Sequence, residues 1–245
     1  MLLLAHISDL HLDSSERSVE RAGKVMDYLR GLPRPVDALL VTGDIADHGD
    51  ESEYGAAARL LSAPFPVLTC PGNHDIRAAY RKALTGEPAA DGPINRHHRV
   101  GGLAVLMCDS TMPGRDEGLL DDETLGWLAG TLDELGDTPA LMAFHHPPVQ
   151  LHHPLPDSML LQQELALAAL LGAHPNVIAI LTGHAHTAAA ATFAGRPLLV
   201  APGVTWTLRL PWESDHLADL GAPPGLAFHV LDDAWNLVTH YRVVL

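Results

Sequence analysis

The apolar positions of this chain fall into short runs separated by turn-forming clusters. Leu2 to Ile7 is a continuous apolar run with the length of a buried strand. Glu16 to Arg30 has helical character and is stopped by Gly31 and Pro33. Asp37 to Thr42 reads as a second strand, Glu51 to Leu61 as an Ala-rich helix, and Pro66 to Thr69 as a short strand before a turn at Pro71-Gly72. Ile76 to Leu84 is helical in pattern, and Gly86 to Asn95, rich in Pro, Gly and small residues, reads as a loop. His98 to Val100 and Leu103 to Asp109 have the pattern of a hairpin around Gly101-Gly102. A helix over Asp121 to Leu135, with Asp121 or Asp122 as N-cap, precedes a strand at Ala140 to Phe144. A helix at Gln162 to Leu171 and a strand at Val177 to Leu181 follow. From there the pattern changes. Thr187 to Phe193, Pro197 to Ala201, Leu226 to Leu231 and Asn236 to Val243 are all strand-like.

Strands alternating with helices imply an α/β fold with a largely parallel sheet covered by helices. The β-rich end, from about residue 187, predicts a second sheet stacked on the first. No repeat, low-complexity tract or linker interrupts the 245 residues, so one domain over 1–245 is the expected organisation. An apolar content of 47% supports a sizeable core. Cys70 and Cys108 sit near the ends of strand-like runs and read as small buried hydrophobes rather than a disulfide framework. MLLLA is too short for a signal segment, and no apolar run reaches membrane-spanning length, so the expected compartment is the cytoplasm.

The chemistry lies in five segments: Asp9-Leu10-His11, Gly43-Asp44, Gly72-Asn73-His74-Asp75, His145-His146-Pro147 and Gly183-His184-Ala185-His186. Each directly follows a predicted strand. Ligand sites in parallel α/β sheets form at the carboxyl ends of strands, so the five are expected to converge. Asp9 and His11 are two residues apart, as are His184 and His186. In extended chain each such pair points to one side. Imidazole, carboxylate and amide oxygens suit Zn, Mn, Fe or Co, and the absence of Cys argues against a structural zinc site. Seven candidate ligands exceed the three or four of one catalytic zinc, so two ions fit better, with Asp44 as the candidate bridge.

The net charge of −15 argues against an extended nucleic-acid surface. A small anion remains compatible, because bound cations reverse the field locally. Two dications, two carboxylates and one hydroxide sum to about +1, which matches the single charge of a phosphodiester.

The set D-x-H, G-D, G-N-H-D, H-x-P and G-H-x-H resembles that of calcineurin-like metallophosphoesterases. The fuller strings ISDLHL, TGDIAD, PGNHD, FHHPP and GHAH resemble bacterial class III cyclic nucleotide phosphodiesterases and the related glycerophosphodiesterases. The resemblance implies a four-layer α/β/β/α sandwich of two mixed sheets. It also implies Asp9, His11, Asp44 and His186 on one metal, and Asp44, Asn73, His145 and His184 on the other. His74 would lie beside the substrate phosphate without binding metal. The implied reaction is hydrolysis of a small phosphodiester, with 3′,5′-cyclic AMP as the leading substrate, by in-line attack of a metal-bridging hydroxide. A glycerophosphodiesterase or broad-specificity phosphoesterase is the alternative, and a non-catalytic metal-binding scaffold the alternative of another class. Dimers among such proteins suggest a homodimer. The protein-phosphatase branch, with its GDxVDRG and GNHE patterns, is not matched.

Asp44, Asn73 and His74 are the catalytic candidates, and His74, His146 and Trp206 the candidate substrate contacts, with His146, next to a ligand, reading equally as a support for that ligand or a residue of the rim. Asp75 is expected to orient His74 or cap the next helix, and Asp47 to be a turn residue or to support a ligand. With sixteen histidines in the chain, a lone His means little, and His6, His48, His97, His98, His174, His229 and His240 are read as background. The Pro-rich loop at His152-His153 reads as a cover for the substrate or a plain surface loop, and the aperiodic segment 205–222, with Trp206 and Trp212, as a pocket wall, a dimer contact or core packing of the two Trp.

Overall fold

The computed structural model of the chain describes residues 1–13 and 15–245. The elements run in the order β1 (Leu2–Ile7), α1 (Glu16–Arg30), β2 (Ala38–Thr42), α2 (Glu51–Leu60), β3 (Val67–Cys70), α3 (Arg77–Tyr80), β4 (Arg96–Val100) and β5 (Leu103–Met107). Next come β6 (Gly118–Leu119), α4 (Asp122–Leu135), β7 (Ala140–Ala143), α5 (Pro154–Asp157), β8 (Leu161–Gln162), α6 (Glu164–Ala173) and β9 (Val177–Thr182). The chain closes with β10 (Ala189–Phe193), β11 (Arg196–Val200), β12 (Thr207–Leu208), β13 (Ala218–Asp219), β14 (Gly225–Leu231) and β15 (Leu237–Val243).

The central strands are continuously apolar because both of their faces are buried. Alternate residues serve different layers. Leu4, Leu40, Val105 and Leu141 meet in the core between the two sheets. Ala5, Ile7, Leu39 and Val41 face the other way, onto Val25, Met26 and Leu29 of α1 and Tyr54 of α2. Leu106 and Met142 likewise turn outward onto Leu128 and Leu132 of α4 and Leu167 and Leu171 of α6. Helix, sheet, sheet and helix are therefore stacked as four layers, as the resemblance implied. The caps are local. Ser15 accepts from the Ser18 N–H at the start of α1, and Asp121 accepts from the Thr124 N–H at the start of α4.

One sheet has the strand order β15-β14-β1-β2-β3, the other β10-β11-β9-β7-β5-β4. The β-rich end does not make a sheet of its own, as the change of pattern near residue 187 suggested. β10 and β11 extend the second sheet, whereas β14 pairs antiparallel with β1, matching Leu4 with His229. A strand joins whichever open edge it can reach with its apolar face inward, and a local pattern carries no information about edges. The stretch 205–222 contributes the small pair β12-β13. The helix expected over Ile76 to Leu84 is α3 continued by one π-helical turn, Arg81–Thr85, ending at left-handed Gly86. Cys70 and Cys108 are buried free thiols. Among the described residues, no helix is long and apolar enough to cross a membrane.

The parallel strands of both sheets carry the site. β1, β2 and β3 are parallel in one sheet; β5, β7, β9 and β11 are parallel in the other. Their carboxyl ends meet along one edge, where the His184 N–H donates to the Asp9 carboxylate at 3.1 Å.

Candidate metal centre

All five motif segments reach this edge. Ligand atoms of Asp9, His11, Asp44 and His186 lie within 4.8 Å of one another. His145 and His184 lie beside them: Nδ1 of His184 is 3.2 Å from Nε2 of His145 and 3.2 Å from Oδ1 of Asn73. Asp44 stands between the two sets, with Oδ2 3.4 Å from His11 Nε2 and 3.3 Å from His145 Nε2. The seven side chains singled out from the sequence are thus brought together, and the carboxylate expected to bridge is the one in the middle.

The i, i+2 pairs converge for a different reason than expected. They are not extended. Asp9, His11, Asp44, His184 and His186 all have positive φ, between 41° and 69°. These five are most of the nine non-glycine residues with that conformation among the described residues. Each left-handed residue costs on the order of 1 kcal/mol or more, and such strain collects at functional sites. Glycine stands where space is shortest. A Cβ on Gly72 would overlap the Asp44 carboxylate and backbone N, and one on Gly43 would lie 2.5 Å from His145 Nδ1.

Hydrogen bonds settle which nitrogen each imidazole presents. His11 Nδ1–H donates to Asp47 Oδ1 at 2.8 Å, His145 Nδ1–H to the Thr42 carbonyl at 2.7 Å, and His186 Nδ1–H to the Trp206 carbonyl at 3.2 Å. Their Nε2 atoms are left as lone pairs facing inward. Nε2 of His11 then sits 3.1 Å from Nε2 of His186, with Asp9 Oδ1 3.4 Å from the latter. Lone pairs and carboxylates at such distances repel unless a cation lies among them. His184 Nε2 is buried without a hydrogen-bond partner. This donor set, three inward imidazole nitrogens, His184, two carboxylates and one amide oxygen, fits divalent ions with borderline preference.

Electrostatics without cations agree. Burial pushes the Asp9 carboxyl up to about 6, and burial with the neighbouring His145 pushes His184 down to about 3. Burial also opposes a charge on His145, but the Asp44 and Asp9 carboxylates outweigh it and hold that imidazole up at about 9. Protons here substitute for positive charge that the carboxylates lack.

The remaining candidates separate. His74 is exposed, donates from Nδ1 to the Asp47 carbonyl at 2.7 Å, and lines the cavity over the cluster. Trp206 lines it too, stacked on His186 with ring centroids 3.6 Å apart. His146 does not fit a substrate contact. It is 0% exposed, with Nδ1 2.8 Å from Ser110 Oγ and Nε2 3.2 Å from the Asp116 carbonyl. Asp75 neither orients His74 nor caps α3. Its carboxylate accepts from the N–H groups of Ile45, Ala46 and Gly72 and from the Tyr54 hydroxyl, tying the Asp44 loop to the Asn73 turn. Asp47 supports His11, as its position suggested.

The cavity has walls that sequence reasoning left unread: Asp116, Leu155, Pro156, Met159 and Leu208. His153, buried and 2.9 Å from the Arg209 carbonyl through Nε2, anchors the loop that brings Leu155 and Pro156 there. The Pro-rich stretch after HHPP was the available signal, pointing to a loop near the site but not to which side chains face it. Trp212 is 70% exposed and takes no part.

Known proteins resemble this chain over most of its length. The chain is 35% identical over 223 residues to a probable cyclic nucleotide phosphodiesterase of Rhodococcus erythropolis, covering 86% of this chain and 73% of that one. It is 30% identical over 253 residues to the glycerophosphodiester phosphodiesterase GpdQ of Enterobacter lignolyticus, covering 98% and 91%. Among solved structures, a dimetal phosphatase from Danio rerio superposes with a TM-score of 0.72 at 16% identity, over 100% of this chain and 96% of that one, which shows a shared fold. The model of the family described as calcineurin-like phosphoesterase matches residues 2–188. With that match spanning all five motifs, the chain belongs to the calcineurin-like phosphoesterase family.

Proposed function

We propose that this protein is a two-metal hydrolase of small phosphodiesters, and that residues 1–245 act as one catalytic unit. The observation that carries the reading is the pair of adjoining ligand sets that share Asp44. Asp9, His11, Asp44 and His186 would hold one ion, and Asp44, Asn73, His145 and His184 the other. Mn, Fe, Zn and Co all suit these donors. Such ions, when bound, supply charge for the phosphoryl oxygens and lower the pKa of water.

The chain's own groups do the rest. Thr42, Asp47 and Trp206 hold the three imidazoles with Nε2 inward, so the ligand set is organised before any ion arrives. His74, fixed through Nδ1, keeps Nε2 free at the cavity mouth, where the ring in its doubly protonated form would donate to a phosphoryl oxygen or protonate the departing alkoxide. Leu155, Pro156, Met159 and Leu208 give the cavity an apolar wall for the organic part of the ester. The relatives' names divide between cyclic nucleotides, with 3′,5′-cyclic AMP as our leading candidate, and glycerophosphodiesters.

Protein loaded separately with Mn, Fe, Co and Zn should turn over bis-p-nitrophenyl phosphate with at least one of them. Failure with all four would leave the scaffold reading. A panel of 3′,5′-cyclic AMP, 2′,3′-cyclic AMP, glycerophosphodiesters and phosphomonoesters under one metal then tests the diester preference, which a strong bias to monoesters would overturn.

A further inference from the structure

Two cavities meet at Asn73. The first, of about 300 Å³, lies over the ligand cluster. The second, of about 420 Å³, opens on the other side of Asn73 and is lined by Ile76, Arg77, Ala78, Thr111 and Met112. Both fall near the lower end of the size range of small-molecule sites, about 300–1,000 Å³. The loop 110–117 separates them, since Asp116 faces the first cavity and Thr111 to Gly114 face the second.

This ridge is held from both sides. On one, buried His146 fastens Ser110 and the Asp116 carbonyl. On the other, Arg77 donates to the Thr111 carbonyl at 2.8 Å, and the Asp109 carboxylate accepts from the Thr111 N–H and hydroxyl. A divider so anchored keeps two separate spaces open beside the residue over which the phosphorus would sit.

The chemistry of the second cavity follows from its charges. Arg77 is the one cation among its described lining residues, and its guanidinium is committed to the Asp109 carboxylate at 2.8 Å and to the Asp91 and Thr111 carbonyls. Asp75 and Asp91 also line the cavity, and Ile76 is 51% exposed at its wall. The space therefore repels a second anion and favours an uncharged or cationic group with apolar surface.

We propose that the second cavity is a subsite for the second ester substituent of an acyclic phosphodiester, one alcohol lying in each cavity and the phosphorus at Asn73. The inference rests on the phosphodiesterase reading above. Water adds to phosphorus, the P–O bond to one alcohol breaks, and that alcohol leaves with a proton, giving a monoester. A 3′,5′-cyclic nucleotide has both ester oxygens on one ribose, so it fills one cavity only. A nucleic-acid strand would carry further phosphates into an acidic space.

The test compares methyl p-nitrophenyl phosphate with phenyl p-nitrophenyl phosphate on the Mn-loaded protein. The leaving group is the same, so the ratio of kcat/KM reports the second substituent. Burial of the phenyl ring predicts a preference of roughly tenfold or more for the phenyl ester. Ala78→Trp and, separately, Met112→Trp fill the cavity from opposite walls and should each bring the ratio to within about twofold of unity. Because the ratio is taken within one preparation, a reduced folded fraction cancels. A wild-type ratio near one, or a preference that survives both substitutions, overturns the subsite while leaving the phosphodiesterase reading intact. No turnover of either ester with Mn, or with Fe, Co or Zn in its place, overturns both.

Discussion

His146 offers a sharp test of how the site is built, because its sequence position beside His145 and its geometry suggest different roles. Its ligand atom lies close enough to those of His145 and His184 to share an ion. Yet both ring nitrogens are already engaged, by Ser110 Oγ at 2.8 Å and the Asp116 carbonyl at 3.2 Å. His146→Leu is close to volume-conserving, so repacking should cost below about 1.5 kcal/mol. The larger loss comes from the partners. The buried Ser110 hydroxyl would lose its ring contact at roughly 1–3 kcal/mol, and the carbonyl of exposed Asp116, which water can reach, at roughly 0.5–1.5 kcal/mol. Ser110 Oγ keeps one bond, from the His146 N–H at 3.3 Å, which lowers its share. The sum is a destabilisation of about 2–4 kcal/mol, a large part of the roughly 5–15 kcal/mol that holds a domain folded. Urea denaturation at pH 8 should show it as a midpoint lowered by about 1 M or more with the slope unchanged. Metal content, measured by elemental analysis, should stay at two ions per chain. A loss under about 1 kcal/mol would refute the anchoring argument. Loss of one ion with stability intact would make His146 a ligand instead.

His74→Ala should lower kcat by about 10²–10⁴-fold with metal content unchanged; loss of both ions would show that His74 is a ligand. Removing metal with dipicolinate should lower the melting temperature, and refilling to about 1,000 times Kd should restore roughly 4 kcal/mol, read as a rise of about 8 °C or more. The absence of any shift would contradict the metal centre. Gly72→Ala should lose at least one ion and cut activity by about tenfold or more, because its Cβ would overlap the Asp44 carboxylate. Burial pushes the His229 imidazole down to about 3, so its neutral form is favoured in the fold. That stability is fully present above about 6.5 and declines as pH falls toward 3. In His229→Gln the acid arm of the stability curve should therefore be shallower by about 1.4 kcal/mol per pH unit between about 6 and 4. An unchanged slope would show that His229 titrates freely.

Much of this protein was determined by short-range sequence. The apolar runs of β1, β2, β7 and β9 are strands because a buried strand needs only a few consecutive apolar residues, and Ser15 and Asp121 cap their helices from within the same turn. The ligands were legible for the same reason, since each stands within a few residues of a strand end and has a side chain with little reason to be buried otherwise. Tertiary structure alone decided the rest. The pairing of Leu4 with His229 joins residues more than two hundred apart, so the membership of β14 in the first sheet could not be read locally. The left-handed backbone of Asp9 and His184 accompanies a contact across the two sheet edges, where the His184 N–H reaches the Asp9 carboxylate. Which histidines face a cation and which face a carbonyl depends on partners such as Thr42, Ser110 and Trp206, brought in from 20 to 103 residues away. The two cavities at Asn73 are spaces between such distant segments. A strand end carries its own ligand, but a cavity belongs to no single stretch of chain.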